Sequence, residues 1–247
     1  MADVTYVLPD TLRGDPAERE GLALRAGCDL VEVALGDSPP PALPWLLRAA
    51  STDEDGGDWP RWHDPAWTSA FVAGVAVPMG RPPAAIVIET GNEWNRPGDL
   101  ARAIALVRER YLARSGVAPA VLVANRAGQA LSDGATIAEF WDHLRSRSPD
   151  LAVHTGIALD APEFYAATRT RMAAELALIP PDALRYVRVH TRGGKPDLGE
   201  PLPWRAVFGL VRQAPGTVLI VPAVQDRASL EPAILFCMVS LQGRVFT

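Results

Sequence analysis

Histidine is the side chain whose ordinary pKa lies near neutrality, and the 247-residue chain has four of them. Two, His154 and His190, fall at or near the ends of the short apolar runs "LAVHTGI" (151–157) and "LRYVRVH" (184–190). An imidazole so placed can take and return a proton or orient a substrate; the alternative for each is a packed, hydrogen-bonded core histidine. Glu32 and Glu89 sit inside the otherwise apolar "DLVEVAL" (29–35) and "AAIVIET" (84–90). A carboxylate turned toward a core needs a partner or a raised pKa, so each is a candidate general base. A salt bridge to Arg48, Arg126 or Arg192 is the alternative. Arg126 and Arg192 are also suited to hold a substrate carboxylate or phosphate. Asn125 adjoins Arg126, and Trp62 and Trp94 can stack on a sugar or a planar ring, or simply tuck a loop onto the core. These side chains describe acid–base chemistry: isomerisation, epimerisation, dehydration or ring closure. His143, in an Arg-rich helix, and His63 read as bystanders.

The elements that must position these residues are legible as alternation. Apolar runs at 4–10, 29–35, 45–51, 84–90, 119–125, 151–157, 184–190 and 217–223 read as strands. Helical segments follow at 15–27, 64–79, 97–116, 136–148, 162–179, 202–213 and 229–242. Asp15 reads as an N-cap and Gly27 as a stop; Pro97 and Gly116 bracket the third helix in the same way. Strands alternating with helices imply a parallel sheet. Eight of them in this length favour a closed (β/α)8 TIM barrel, read as one domain over residues 1–247. The stretch between the second and third strands holds Pro39, Pro40 and Pro41, so the second helix is expected to be short or missing. No GxGxxG follows the first strand and no GxxxxGK[ST] occurs anywhere, which removes the main support for the common nucleotide folds. In a barrel the chemistry belongs at the C-terminal strand ends, and residues 51–67 read as a long cover over that mouth.

Twenty-four Lys+Arg against 29 Asp+Glu give a formal charge of −5, which disfavours extended contact with nucleic-acid phosphates. No apolar stretch approaches the ~18 residues of a membrane span. No secretory signal is visible, and Cys28 and Cys237 are too few for a disulfide framework. The expectation is a cytoplasmic protein with a small-molecule substrate, without nucleic-acid or membrane partners, and with a homodimer left open.

"AGCDLVEVAL" and "YVRVHTRGGKPDLGEPLPWRAVFGLV" together resemble the second- and seventh-strand patterns of the xylose-isomerase-like TIM barrels. That group includes sugar (phosphate) isomerases, epimerases and endonuclease IV. The resemblance implies one divalent metal held by Glu, Asp, His and Glu at the ends of strands five to eight, the two glutamates often serving as the acid–base pair. Carried over by position, His190 matches the histidine. Ala124, His154 and Ala223 fall where the first Glu, the Asp and the last Glu belong. The resemblance therefore implies degenerate metal ligands and no cofactor, which leaves the acid–base work to His154, His190, Glu32 and Glu89, the candidates the residues themselves offer. Two alternatives stand beside it: a non-catalytic descendant that binds a ligand or protein, and a metal-dependent isomerase or epimerase with rearranged ligands.

Overall fold

A computed structural model describes residues 3–49, 59–75, 81–190 and 202–243. The chain runs β1 (Val4–Leu8), α1 (Pro16–Ala26), β2 (Leu30–Ala34), β3 (Trp45–Ala49), α2 (Pro65–Val75), β4 (Ala85–Glu89) and α3 (Pro97–Ser115). It continues β5 (Ala120–Ala124), α4 (Gly134–Arg147), α5 (Pro149–Ala152), β6 (Thr155–Asp160), α6 (Ala161–Thr168) and α7 (Met172–Leu176). It closes with β7 (Leu184–Val189), α8 (Trp204–Gln213), β8 (Val218–Pro222) and α9 (Leu230–Leu241). All eight strands pair in parallel in chain order, and β1 pairs β8 to close the barrel. β3 follows β2 with no helix between them, as the three prolines predict. The Asp15 side chain accepts the Ala17 and Glu18 amides, and Gly27 ends α1 at φ +73°. That left-handed conformation costs glycine little.

Two departures matter for the site. The sixth strand begins at Thr155, not at 151. Pro149–Ala152 forms one helical turn instead, and the Thr155 hydroxyl donates to the Leu151 carbonyl across the junction. The helix expected over 162–179 is broken into α6, a 3-10 turn and α7. Thr168 donates its hydroxyl back to the Phe164 carbonyl, a bond that bends helices, and Arg169 takes φ +51°.

One apolar cluster fills the space between strands and helices, and a smaller one fills the barrel interior. The interior set includes Leu46, Val87, Leu122, Ala158, Tyr186 and Val221. Side chains of a strand alternate faces, so the residue two places further on also points inward. That rule puts Arg48, Glu89, Ala124, Asp160, Arg188 and Ala223 in the next layer up. His190, two after Arg188, lies just beyond β7.

Candidate active site

That upper layer lines a cavity of about 650 Å³ at the C-terminal ends of the strands, with Arg48, Glu89, Ala124, Asp160, His190 and Ala223 among its walls. Its floor is a chain of ion pairs. Asp10 Oδ2 accepts from Arg48 Nη1 at 3.2 Å and Asp10 Oδ1 from Arg188 Nη2 at 2.8 Å. Arg188 Nη1 donates to Glu32, whose carboxylate also accepts the Tyr186 hydroxyl at 2.7 Å and the Asp10 amide at 3.2 Å. Arg188 Nε lies 3.9 Å from Asp160 Oδ2, and His190 Nε2 lies 3.0 and 3.2 Å from the two Asp160 oxygens.

Burial alone would raise the pKa of Asp160, but His190 and Arg188 hold it below its ordinary value. Asp160 is therefore ionised at neutral pH, and Nε2 of His190 carries the proton it donates to that carboxylate. In a neutral ring the other nitrogen, Nδ1, is then the acceptor. Burial likewise works against Asp10, yet Arg188 and Arg48 hold it well below the usual carboxylate range. Glu32 is fully buried, and burial pushes its pKa up against the pull of Arg188.

The neighbouring loops are pinned by amides. Asn125 accepts the Asp160 amide at 2.7 Å and donates to the Asp160 carbonyl at 3.2 Å. Asp160 also caps α6 by accepting the Glu163 amide. Gln129 Oε1 accepts from the Thr90 amide, the Thr90 hydroxyl and the Gly91 amide, and its Nε2 donates to Glu89. Asn95 donates to the carbonyls of Pro60 and Thr90, tying the segment from Trp59 to the β4 loop.

His190 faces the cavity as the sequence implies, but His154 does not join it. His154 is exposed just before Thr155, at the N-terminal end of β6, because the apolar residues 151–153 belong to the helical turn and not to the strand. Asp160 occupies the sixth strand end instead. Glu32 lies beneath the cavity with no exposed surface, so the base role expected of it gives way to an ion-pair role. Glu89 does reach the cavity, with one oxygen on Arg126 at 2.9 Å and the other on Gln129 at 3.2 Å. Arg126 and Asn125 both line it, although both amide atoms of Asn125 are engaged with Asp160.

Trp62 is fully buried, edge-on to Trp67 and Phe71, with its Nε1 donating to the Glu89 carbonyl; it cannot stack on a substrate. Trp94 is exposed and lies outside the cavity lining. Arg192 and residues 51–58 of the expected cover lie outside the described residues. Asp160, Tyr186 and Arg188 were not among the expected site residues. The inward alternation of Tyr186, Arg188 and His190 along "LRYVRVH" is the signal for two of them, and Asp160-Ala-Pro-Glu163, an N-cap followed by proline, marks a third.

No protein-family model and no curated protein matches the chain. Solved structures do. A D-tagatose 3-epimerase-like protein superposes with a TM-score of 0.66 at 10% identity, covering 97% of this chain and 98% of that one. An L-ribulose 3-epimerase gives 0.63 at 12% identity, covering 99% and 96%. A xylose isomerase domain protein from Alicyclobacillus acidocaldarius gives 0.61 at 14%, covering 97% and 100%. The chain has the fold of the xylose-isomerase-like TIM barrels.

The metal that this fold implies does not suit the residues present. Ala124 and Ala223 line the cavity at the ends of β5 and β8 and offer no donor atom. Asp160 and His190 are engaged with each other, and among the described residues no group of three or more His, Cys, Asp or Glu is placed to hold an ion. With Asp160 in place of His154 at the sixth strand end, two of the four ligand positions are changed, not three.

Proposed function

We propose that the chain is a metal-independent acid–base enzyme of the isomerase or epimerase kind, acting on a small polar substrate. The observation that carries this is the Asp160–His190 pair, opening on the cavity at the strand ends where the neighbouring metal positions are alanine. The likeness to epimerase structures supports the same class.

In this reading Nδ1 of His190 accepts a proton from a carbon next to a carbonyl, and Asp160 stabilises the imidazolium that forms. The electron pair moves to the carbonyl oxygen, where Arg48 or Arg126 meets the developing charge. An epimer forms when a second group, across the cavity, protonates the same carbon on its other face and His190 releases its proton to solvent; return of the His190 proton to the neighbouring carbon gives an isomer. Dehydration and ring closure share the first step. Glu89 and Glu163 line the same cavity as further carboxylates.

The test is solvent exchange. The protein, treated with a chelator, is incubated in D2O with a panel of ketoses and hydroxy acids, and carbon-bound deuterium is read by NMR. Exchange that survives the chelator and is lost in His190→Ala is the expected result. Exchange abolished by the chelator and restored by a divalent ion puts the metal-dependent reading first. Binding without exchange puts the non-catalytic reading first.

A further inference from the structure

The charged groups of this cavity are unequally engaged and unequally exposed. The Asp10 oxygens are taken by Arg188 and Arg48, those of Glu89 by Arg126 and Gln129, and those of Asp160 by His190 and the Glu163 amide. The guanidiniums are in the opposite state. Each has five N–H donors in a planar fork. Among the described residues the guanidinium of Arg48 makes one hydrogen bond, to Asp10, and that of Arg126 makes one, to Glu89.

Exposure follows the same division. The side chains of Arg48 and Arg126 are 29% and 31% exposed, whereas those of Asp10, Glu89 and Asp160 are 10%, 6% and 13%. In each pair the guanidinium is thus the more open partner, although the carboxylates also line the cavity. Glu163 is less engaged. It lines the cavity with Oε2 on the Ala127 amide at 3.2 Å, which leaves acceptor capacity suited to a hydroxyl.

We propose that the substrate carries an oxyanion, carboxylate or phosphate, held by Arg48 and Arg126, on a hydroxylated carbon chain that reaches His190. This rests on the catalytic reading of the cavity and names the substrate class for it. A guanidinium fork matches the two oxygens of a carboxylate or phosphate and bonds a charged acceptor more strongly than a neutral one. A neutral sugar would offer these donors only uncharged oxygens, and its hydroxyl protons would meet, Glu163 aside, carboxylate oxygens that each already accept a hydrogen bond.

The experiment is calorimetric titration of the full chain with D-gluconate, D-fructose 6-phosphate and D-fructose. At least one anion should bind roughly tenfold or more tightly than fructose, and less tightly as salt rises. The carboxylate and phosphate arms show which oxyanion is preferred. Arg126→Met and Arg48→Met should each weaken the anion by about tenfold or more and weaken fructose, where it binds, by less. Because Arg48 also supports Asp10, Arg126→Met, at a half-exposed position, is the variant that decides if Arg48→Met fails to fold.

Fructose binding as tightly as the anions, neither anion binding, or full anion affinity in Arg126→Met overturns the proposal. Deuterium exchange in the same samples separates the two readings. Exchange on fructose without anion binding keeps the enzyme and discards the anion; anion binding without exchange on any compound does the reverse.

Discussion

His190 owes its role to what surrounds it. Asp160 fixes one ring nitrogen, Asn125 fixes the backbone of Asp160 from both sides, and Arg188 keeps the carboxylate charged from beneath. Removing the imidazole should therefore cost what loss of a general acid or base costs. His190→Ala is expected to lower the exchange rate by roughly 10²–10⁴ in a chain that still folds, as a cooperative thermal transition would show. Asp160→Asn should fall in the same range, because a neutral amide cannot stabilise the imidazolium. His143→Ala, on α4, and His154→Ala, exposed at the opposite end of the barrel, should leave the rate unchanged. Equal, small losses at all four positions would mean that His190 packs and does not catalyse.

Among the elements, the β4 loop shows how narrowly the site is built. Gly91 has φ +71°, and a Cβ there would lie 1.9 Å from the Pro60 carbonyl oxygen and 2.4 Å from Asn95 Nδ2. Gly91→Ala should thus strain the backbone and push the segment from Trp59 off the loop at once. A loss of about 2 kcal/mol or more in denaturant unfolding is expected, with weaker ligand binding as Arg126 and Glu89 lose their support. Unchanged stability would show that the segment from Trp59 is not clamped there. The sequence is informative about such elements only as far as periodicity reaches. Seven strands fall within two residues of where apolar runs place them, because a buried parallel strand is a continuous apolar run between helices. The sixth does not, since Leu151 and Val153 are as apolar as a strand start while Pro149 begins a helical turn. That one slip put His154 where Asp160 belongs. Trp62 misled for another reason: an aromatic near the mouth reads the same whether it faces ligand or Phe71, and only packing distinguishes them. Arg188 was hidden because an arginine in an apolar strand is unremarkable until Asp10 and Glu32, far away in sequence, are brought to it.

Across the whole molecule, the barrel interior changes character with height: apolar side chains fill its lower part, and ion pairs centred on Arg188 hold its upper part. Buried pairs of this kind contribute little net stability, yet breaking one leaves a charge stranded. Arg188→Met should therefore destabilise the barrel by about 3–5 kcal/mol at pH 7. The loss should also depend on pH. In the native chain Asp10 and Asp160 have lowered pKa values, so their contribution is complete above the ordinary carboxylate value of 3.8 and is lost only as pH falls through the lowered ones. Glu32, raised by burial, works in the other sense: its contribution is complete below 4.5 and declines as pH rises through its raised value. Without Arg188 the charged forms of Asp10 and Glu32 lose their nearest cation, and both pKa values move up. The variant should then gain stability as pH falls from 7 to 5, where protonation relieves the stranded charge, while the native chain changes less. Urea unfolding of both proteins at the two pH values measures this directly. A gap that is narrower at pH 5 assigns the network to electrostatics, whereas the same gap at both would mean that Arg188 contributes through the volume it fills.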